Sequence, residues 1–314
     1  MANRNEIIDQ INRLKQQGQL GQDTIRKQYL TELYKYTGND TIVYAASFSP
    51  NFPGVPASVT SITLVDIQGF MTCLNGLKGK KLDLILHSPG GSLESAEQIV
   101  QYLRSKYEYI RAIVPQNAMS AATMIACACD EIVFGRQSAI GPIDPQITIP
   151  TRNGVSMAVP AHSILADFER AKADVAGDAT SLAIWLPKIM DLPYGLLDLC
   201  QKTIDLSKSK VADWLNKYMF KNSKQKPGAA IAEWLGQFNE HKTHGRPINY
   251  DLAKSKGLKV SLLEKDKDSE LQDKVLSVYH ATLVTFDTTT CVKIIENHNG
   301  VGAYCVIQPQ IIAQ

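Results

Sequence analysis

No run of about 20 apolar residues, the length a membrane-spanning helix needs, occurs in this sequence; the longest apolar stretch, 118–129, is too short. Neither sign of charge dominates. Thirty-three basic residues stand against 31 acidic ones, for a formal net charge of +2. That balance gives no electrostatic reason to expect nucleic acid or an anionic membrane as partner. The most basic stretch, Lys221-Asn222-Ser223-Lys224-Gln225-Lys226, reads as a solvated loop. An apolar secretory core is missing from the start, where Met1-Ala2-Asn3-Arg4-Asn5-Glu6 is polar, so a cytoplasmic protein is expected. The six cysteines, at 73, 127, 129, 200, 291 and 305, lack the two-residue gaps of a zinc knuckle or redox pair. Buried reduced thiols and no metal are the expectation. Internal repeats and low-complexity tracts are also absent.

What is present is a long alternation of periods. The first 35 residues carry two helical stripes, Ile7, Ile11, Leu14 and Ile25, Tyr29, Leu33, separated by Gly18 and Gly21. Residues 41–48 are β-rich and run into a Pro/Gly/Ser-rich loop at 50–58. A helical stripe follows at Ile67, Phe70, Met71, Leu74 and Leu77. Then come a buried strand at 81–87, a helix marked by Leu93, Ala96, Ile99, Val100 and Leu103, a strand at 110–114, a short apolar helix at 120–129 and a strand at 131–134. Short connections between such elements imply right-handed parallel crossovers and a layered α/β core. Beyond residue 150 the pattern turns helical, over 160–175, 194–220, 228–239 and 249–256. A helix at 270–286 is then followed by β-rich runs at 291–296 and 303–308, joined through Asn297-His298-Asn299-Gly300, a hairpin signal. The expected segments are an N-terminal helical part (1–38), a catalytic core (39–150), a helical extension that returns to the core (151–262), and a C-terminal helix with hairpin (263–314).

Two strand-to-helix junctions carry chemistry. In Ser88-Pro89-Gly90-Gly91-Ser92, two glycines let the backbone approach a ligand, and free N–H groups at a helix start can stabilise negative charge. In Pro115-Gln116-Asn117-Ala118-Met119-Ser120-Ala121-Ala122-Thr123, Ser120 falls in the first turn of a helix of small residues, with its hydroxyl beside unpaired N–H groups. A helix-capping serine in a packed core is the plain alternative. Parallel strands one crossover apart place both junctions at one sheet edge, where ligands bind in open α/β folds.

These motifs, with Ile140-Gly141-Pro142-Ile143-Asp144-Pro145-Gln146, His241-Lys242-Thr243-His244-Gly245-Arg246 and Lys293-Ile294-Ile295-Glu296-Asn297-His298, resemble the serine dehydrogenase proteinase family within the Clp protease and signal peptide peptidase A superfamily. The resemblance implies a Clp protease/crotonase-type α/β core of parallel sheets with an α-rich C-terminal extension. It implies a serine peptidase with Ser120 as nucleophile, an oxyanion hole from the N–H groups of Gly91 and Ala121, and Gly90, Ser92 and Met119 against the substrate. It further implies a peptide or protein substrate, a homo-oligomer and no cofactor.

The general base is left open. The segment where Clp proteases carry their histidine, Ala139-Ile140-Gly141-Pro142-Ile143-Asp144-Pro145, has none. His244 is the first choice, because the run from Gly245 to Leu258 resembles the segment that carries the third triad member in Clp proteases. Lys188 and Lys172 are the rivals, since signal peptide peptidases of the superfamily use a Ser-Lys pair, and a lysine base needs burial to lower its pKa. Asp144 could orient a histidine or serve a rigid turn. His87, His162, His280 and His298 read as structural. A catalytically silent scaffold and a crotonase-type acyl-CoA enzyme stand as other classes; the serine in Ala118-Met119-Ser120-Ala121 argues against the latter.

Overall fold

The computed structural model describes residues 3–18, 21–50, 55–150, 156–264 and 269–308. Parts of the expected loop at 50–58 and of the expected segment boundaries therefore lie outside the described residues. The chain begins with α1 (Arg4–Gln16), α2 (Gly21–Thr37), β1 (Asp40–Ala46), α3 (Ala57–Thr60), α4 (Val65–Leu74), β2 (Lys81–His87), α5 (Leu93–Lys106) and β3 (Tyr109–Val114). It continues through β4 (Asn117–Ala118), α6 (Ala121–Cys127), β5 (Glu131–Phe134), β6 (Ala139–Ile140), β7 (Gln146–Pro150), β8 (Ser156–Pro160), α7 (Ala161–Gly177) and α8 (Leu182–Met190). Next are α9 (Leu196–Trp214), extended by a π turn to Met219, then α10 (Gly228–Leu235), α11 (Phe238–His241) and α12 (Tyr250–Ser255). Last come β9 (Val260–Leu262), α13 (Ser269–Thr288), β10 (Cys291–Asn297) and β11 (Gly302–Val306).

Seven strands form one sheet in the order β11-β10-β1-β2-β3-β5-β9. From β1 to β9 all pairings are parallel, and the C-terminal hairpin adds two antiparallel strands beside β1. Both faces of the sheet are covered, as the uninterrupted apolar runs of the inner strands require. Period two sorts the side chains. Ile42, Tyr44, Leu82, Leu84, Leu86, Ala112, Val114, Ile132 and Phe134 enter the core under α4, α5, α6, α9 and α10. Val43, Ala45, Ile85, Ile113 and Val133 point the other way, onto α1, α2 and α13. The N-terminal helices thus share one core with the C-terminal helix.

The extension departs from an all-helical reading. It opens with an antiparallel hairpin, β7–β8, in register from Gln146 opposite Pro160 to Pro150 opposite Ser156, and ends by adding β9 to the sheet edge. The hairpin, α7 and the start of α9 enclose a small separate core of Ala161, Ile164, Leu196, Cys200 and Ile204. α8, also not expected, leaves Leu182, Ile184, Leu186 and Met190 exposed.

His87 ends β2 on the face opposite the motif it precedes. Its Nδ1 accepts the Asn117 N–H at 3.3 Å, and its ring packs edge-on to Tyr279, whose hydroxyl donates to the Gln116 side chain. Burial drives its pKa down to about 4 from an ordinary value near 6.5. The unfolded chain therefore takes up a proton at this site before the folded one, and stability falls as pH drops from about 6.5 towards 4, by roughly 3 kcal/mol from this group. Thermal melts across that window should show the loss, and His87→Gln should flatten it. An unchanged slope in the variant would show that this ring is not the cause.

Candidate active site

The site is assembled by a second, smaller ladder at the carboxyl edge of the parallel strands. After β2, Ser88 bridges Ala118 through Ser88 N–H to Asn117 O (3.0 Å) and Met119 N–H to Ser88 O (2.9 Å). β4 pairs in parallel with β6, Ala118 opposite Ile140. Ile140 then pairs antiparallel with Ile248 through two backbone hydrogen bonds, at 3.0 and 2.8 Å. The ladder draws the chain before α12 back across the junctions of the core.

Three segments leave this ladder on one side. Ser120 lies two residues past Ala118, just beyond the last paired residue of β4. Asp144 follows Ile140 by four residues, in a segment where Ile143 N–H donates to Leu235 O at 3.0 Å, and His244 lies in the turn before Ile248, where Arg246 N–H donates to Thr243 O at 3.3 Å. The two side chains do meet, with His244 Nδ1 2.9 Å from Asp144 Oδ1. Asp144 is buried and its other oxygen accepts from the Gln146 amide at 2.9 Å; His244 is partly exposed. With Nδ1 turned to the carboxylate, Nε2 is the nitrogen left for another partner, and none is recorded among the described residues. Thr123 ties the parts together, donating to Ala118 O at 2.7 Å and accepting the Gly141 N–H at 2.9 Å.

Ser120 is not in the first turn of α6 but immediately before it, at φ 52° and ψ −120°. A non-glycine residue held there stores of order 1–3 kcal/mol of strain, as in a nucleophile elbow. Its hydroxyl makes no capping bond to the helix, so the plain capping role is not what this side chain does. Met119 beside it packs on Gly141, where a Cβ would fall 2.7 Å from the methionine Cε.

The glycine turn sits directly on this elbow. Gly90, at φ +100°, allows no side chain, since a Cβ would lie 2.6 Å from Met119 O and 2.7 Å from Ser120 Cβ. Gly91 forms a bridge with Ile62, in which Ile62 N–H donates to Gly90 O (2.7 Å) and Ser92 N–H to Ile62 O (3.0 Å). Those bonds use the groups either side of Gly91, so its own N–H points away from Ile62. Neither that N–H nor the Ala121 N–H at the helix start has a recorded acceptor among the described residues. Ser92 caps the next helix. Its oxygen caps α5 by accepting Ser95 N–H at 3.1 Å, and its hydroxyl donates to Glu94.

Both lysine candidates are exposed in a single copy of the chain. Lys172 is exposed on α7 and pairs with Glu169 at 2.9 Å. Lys188 is exposed on α8, 4.8 Å over the Trp185 ring, beside a cavity of about 150 Å³ among Ile149, Val159 and Phe168. His241 is buried, with Nε2 2.8 Å from Trp234 O, and no group of three metal-ligating side chains exists among the described residues. Sequence reasoning left the role of Asp144 undecided. No local signal in the sequence marks its contact with a residue 100 positions away.

Known proteins resemble the chain. Two uncharacterized proteins of Methanocaldococcus jannaschii are similar. One is 32% identical over 202 residues, 63% of this chain and 60% of its own; the other is 36% identical over 107 residues, 34% and 33%. The chain thus spans less than two thirds of either relative. A membrane-bound stomatin-specific protease aligns at TM-score 0.39 and 18% identity over 68% of this chain and 79% of its own. A complex of that protease with a substrate peptide aligns at TM-score 0.39 and 16% identity, over 79% and 83%. An enoyl-CoA hydratase from Polaromonas aligns at TM-score 0.22 and 13% identity, over 62% and 97%. The model of the ClpP-like SDH-type serine proteinases matches residues 62–284, well over half of the sequence and all of the ladder that carries Ser120, Asp144 and His244, and the chain belongs to that family.

Proposed function

We propose that this family member hydrolyses peptide bonds through an acyl-enzyme on Ser120, with His244 as general base, Asp144 as its orienting carboxylate, and the N–H groups of Gly91 and Ala121 as the oxyanion hole. The observation that carries this is the His244–Asp144 hydrogen bond, made at the end of the ladder from which Ser120 also emerges. The buried carboxylate holds the imidazole in one tautomer and stabilises the imidazolium that forms when Nε2 takes the serine proton. Ser120 Oγ then bonds to the scissile carbonyl carbon, and the carbonyl oxygen carries the charge towards the two amides. Collapse breaks the C–N bond, and His244 returns the proton to the leaving amine. Water, deprotonated by the same nitrogen, releases the acyl group.

The order of these parts along the chain is serine, aspartate, histidine, so the base comes from the extension and not from the segment after the nucleophile helix. Peptides or proteins are the proposed substrates. Self-association into a homo-oligomer is part of the same reading, supported by the apolar side chains that α8 leaves uncovered in a single copy.

A fluorophosphonate probe should label the wild type at Ser120 and leave Ser120→Ala unlabelled. Labelling that persists in the variant, or none in the wild type, would overturn the reading and favour a silent scaffold. Rate measurements on a peptide substrate should show His244→Ala down by roughly 10⁴ or more and Asp144→Asn by roughly 10³–10⁴, whereas Lys172→Ala and Lys188→Ala stay within about twofold. An active His244→Ala rejects the assignment of the base. Gly90→Ala, whose new methyl meets Ser120 Cβ and Met119 O, should lose labelling by about a hundredfold while remaining folded.

A further inference from the structure

The strand that braces Gly91 is a single residue, Ile62, and one bridge residue between two loops has little rigidity of its own. Its neighbours supply what it lacks. Ser61 O accepts from Lys293 Nζ at 2.6 Å, and Thr63 N–H donates to Asp66 Oδ2 at 2.9 Å. Lys293 and Asp66 are themselves paired, Nζ lying 2.9 and 3.1 Å from the two carboxylate oxygens, and Tyr44 donates to Asp66 Oδ2 at 2.8 Å. All three donors of the ammonium are used, and both side chains are buried. Burying such a pair costs several kcal/mol of desolvation per ion, and apolar side chains of like volume would serve stability equally well. What the charges add is a fixed place for a backbone segment, clamped before and after Ile62.

We propose that Lys293 and Asp66 are positioning residues of the oxyanion hole: the ion pair clamps residues 61–63, and through the Ile62 bridge sets where the Gly91 N–H stands relative to Ser120. The proposal rests on the assignment of Gly91 as an oxyanion donor. Lys293 belongs to β10, beyond the region that matches the family model, so the C-terminal hairpin becomes part of the catalytic frame. A donor displaced by a fraction of an ångström loses most of its effect on the developing charge while ground-state binding is little changed.

The test uses the full chain. Lys293→Met leaves a buried carboxylate unpaired and is expected to destabilise the fold. Lys293→Met combined with Asp66→Asn removes both charges and keeps acceptors for Thr63 and Tyr44. The double variant should label with fluorophosphonate about tenfold more slowly, with kcat down by a similar factor and KM within about twofold. Its affinity for a peptide boronate should fall by about tenfold, and that for a non-reactive peptide should not. A folded double variant that labels and turns over within twofold of wild type overturns the proposal. Hydrogen exchange in the wild type needs no variant: the Ile62 and Ser92 amides should exchange as slowly as those of β2, and loop-like exchange there also overturns it. If the wild type itself fails to label, the peptidase reading fails, which is a distinct result.

Discussion

Two backbone hydrogen bonds between Ile140 and Ile248 hold the proposed active site together. Without them the parallel core would still present Ser120 and the glycine turn at one edge, because right-handed crossovers place both junctions there. It would present them without the proposed base. The bridge returns the chain from the extension to this edge, and the turn before Ile248 brings His244 to Asp144. The burial of Ile248 and the capping of α12 by Asn249, whose side chain accepts Leu252 N–H at 3.0 Å, fix the arm on the far side.

Strain and packing act on the other half of the site. Ser120 occupies an unfavourable backbone region, and the surroundings that hold it there are Gly90 packed against its Cβ and Thr123 bonded to Ala118 and Gly141. The elbow frees the serine hydroxyl from capping work, and the Ala121 N–H has no acceptor among the described residues. Local stability is given up at the proposed nucleophile, and the buried α/β core on both sides of the sheet absorbs the cost.

Local patterns in the sequence were enough for the core. Strand and helix periods between residues 81 and 134 predict the parallel crossovers, and Gly90, Gly91 and Ser120 stand out by residue type at two linked junctions. Features that depend on contacts remote in sequence were not legible. Asp144 and His244 are 100 positions apart, and backbone bonds of Ile140 with Ile248 and of Ile143 with Leu235 bring their segments together. Around Lys188, apolar neighbours in sequence suggest burial, yet in a single copy α8 turns Ile184, Leu186 and Met190 outward, because apolar character records a need for cover and does not say what supplies it. The positive φ of Ser120 likewise has no local signature, since serine is not a residue type that the conformation selects.

The contact between His244 and Asp144 joins two length scales in this chain. The two side chains are held by the turn after α11 and the segment after β6, while the hundred residues between them close a loop whose entropic cost grows only logarithmically, by about 0.6 kcal/mol per doubling of length. The outer part of that loop, the β7–β8 hairpin with α7 and α8, can therefore lengthen at little entropic cost, whereas α9 and α10 are packed into the main core and Leu235 O accepts the Ile143 N–H beside Asp144. The outer part of the extension is in this sense a region of evolutionary freedom spliced onto a fixed frame, and new surfaces can be built there without disturbing the proposed catalytic contact.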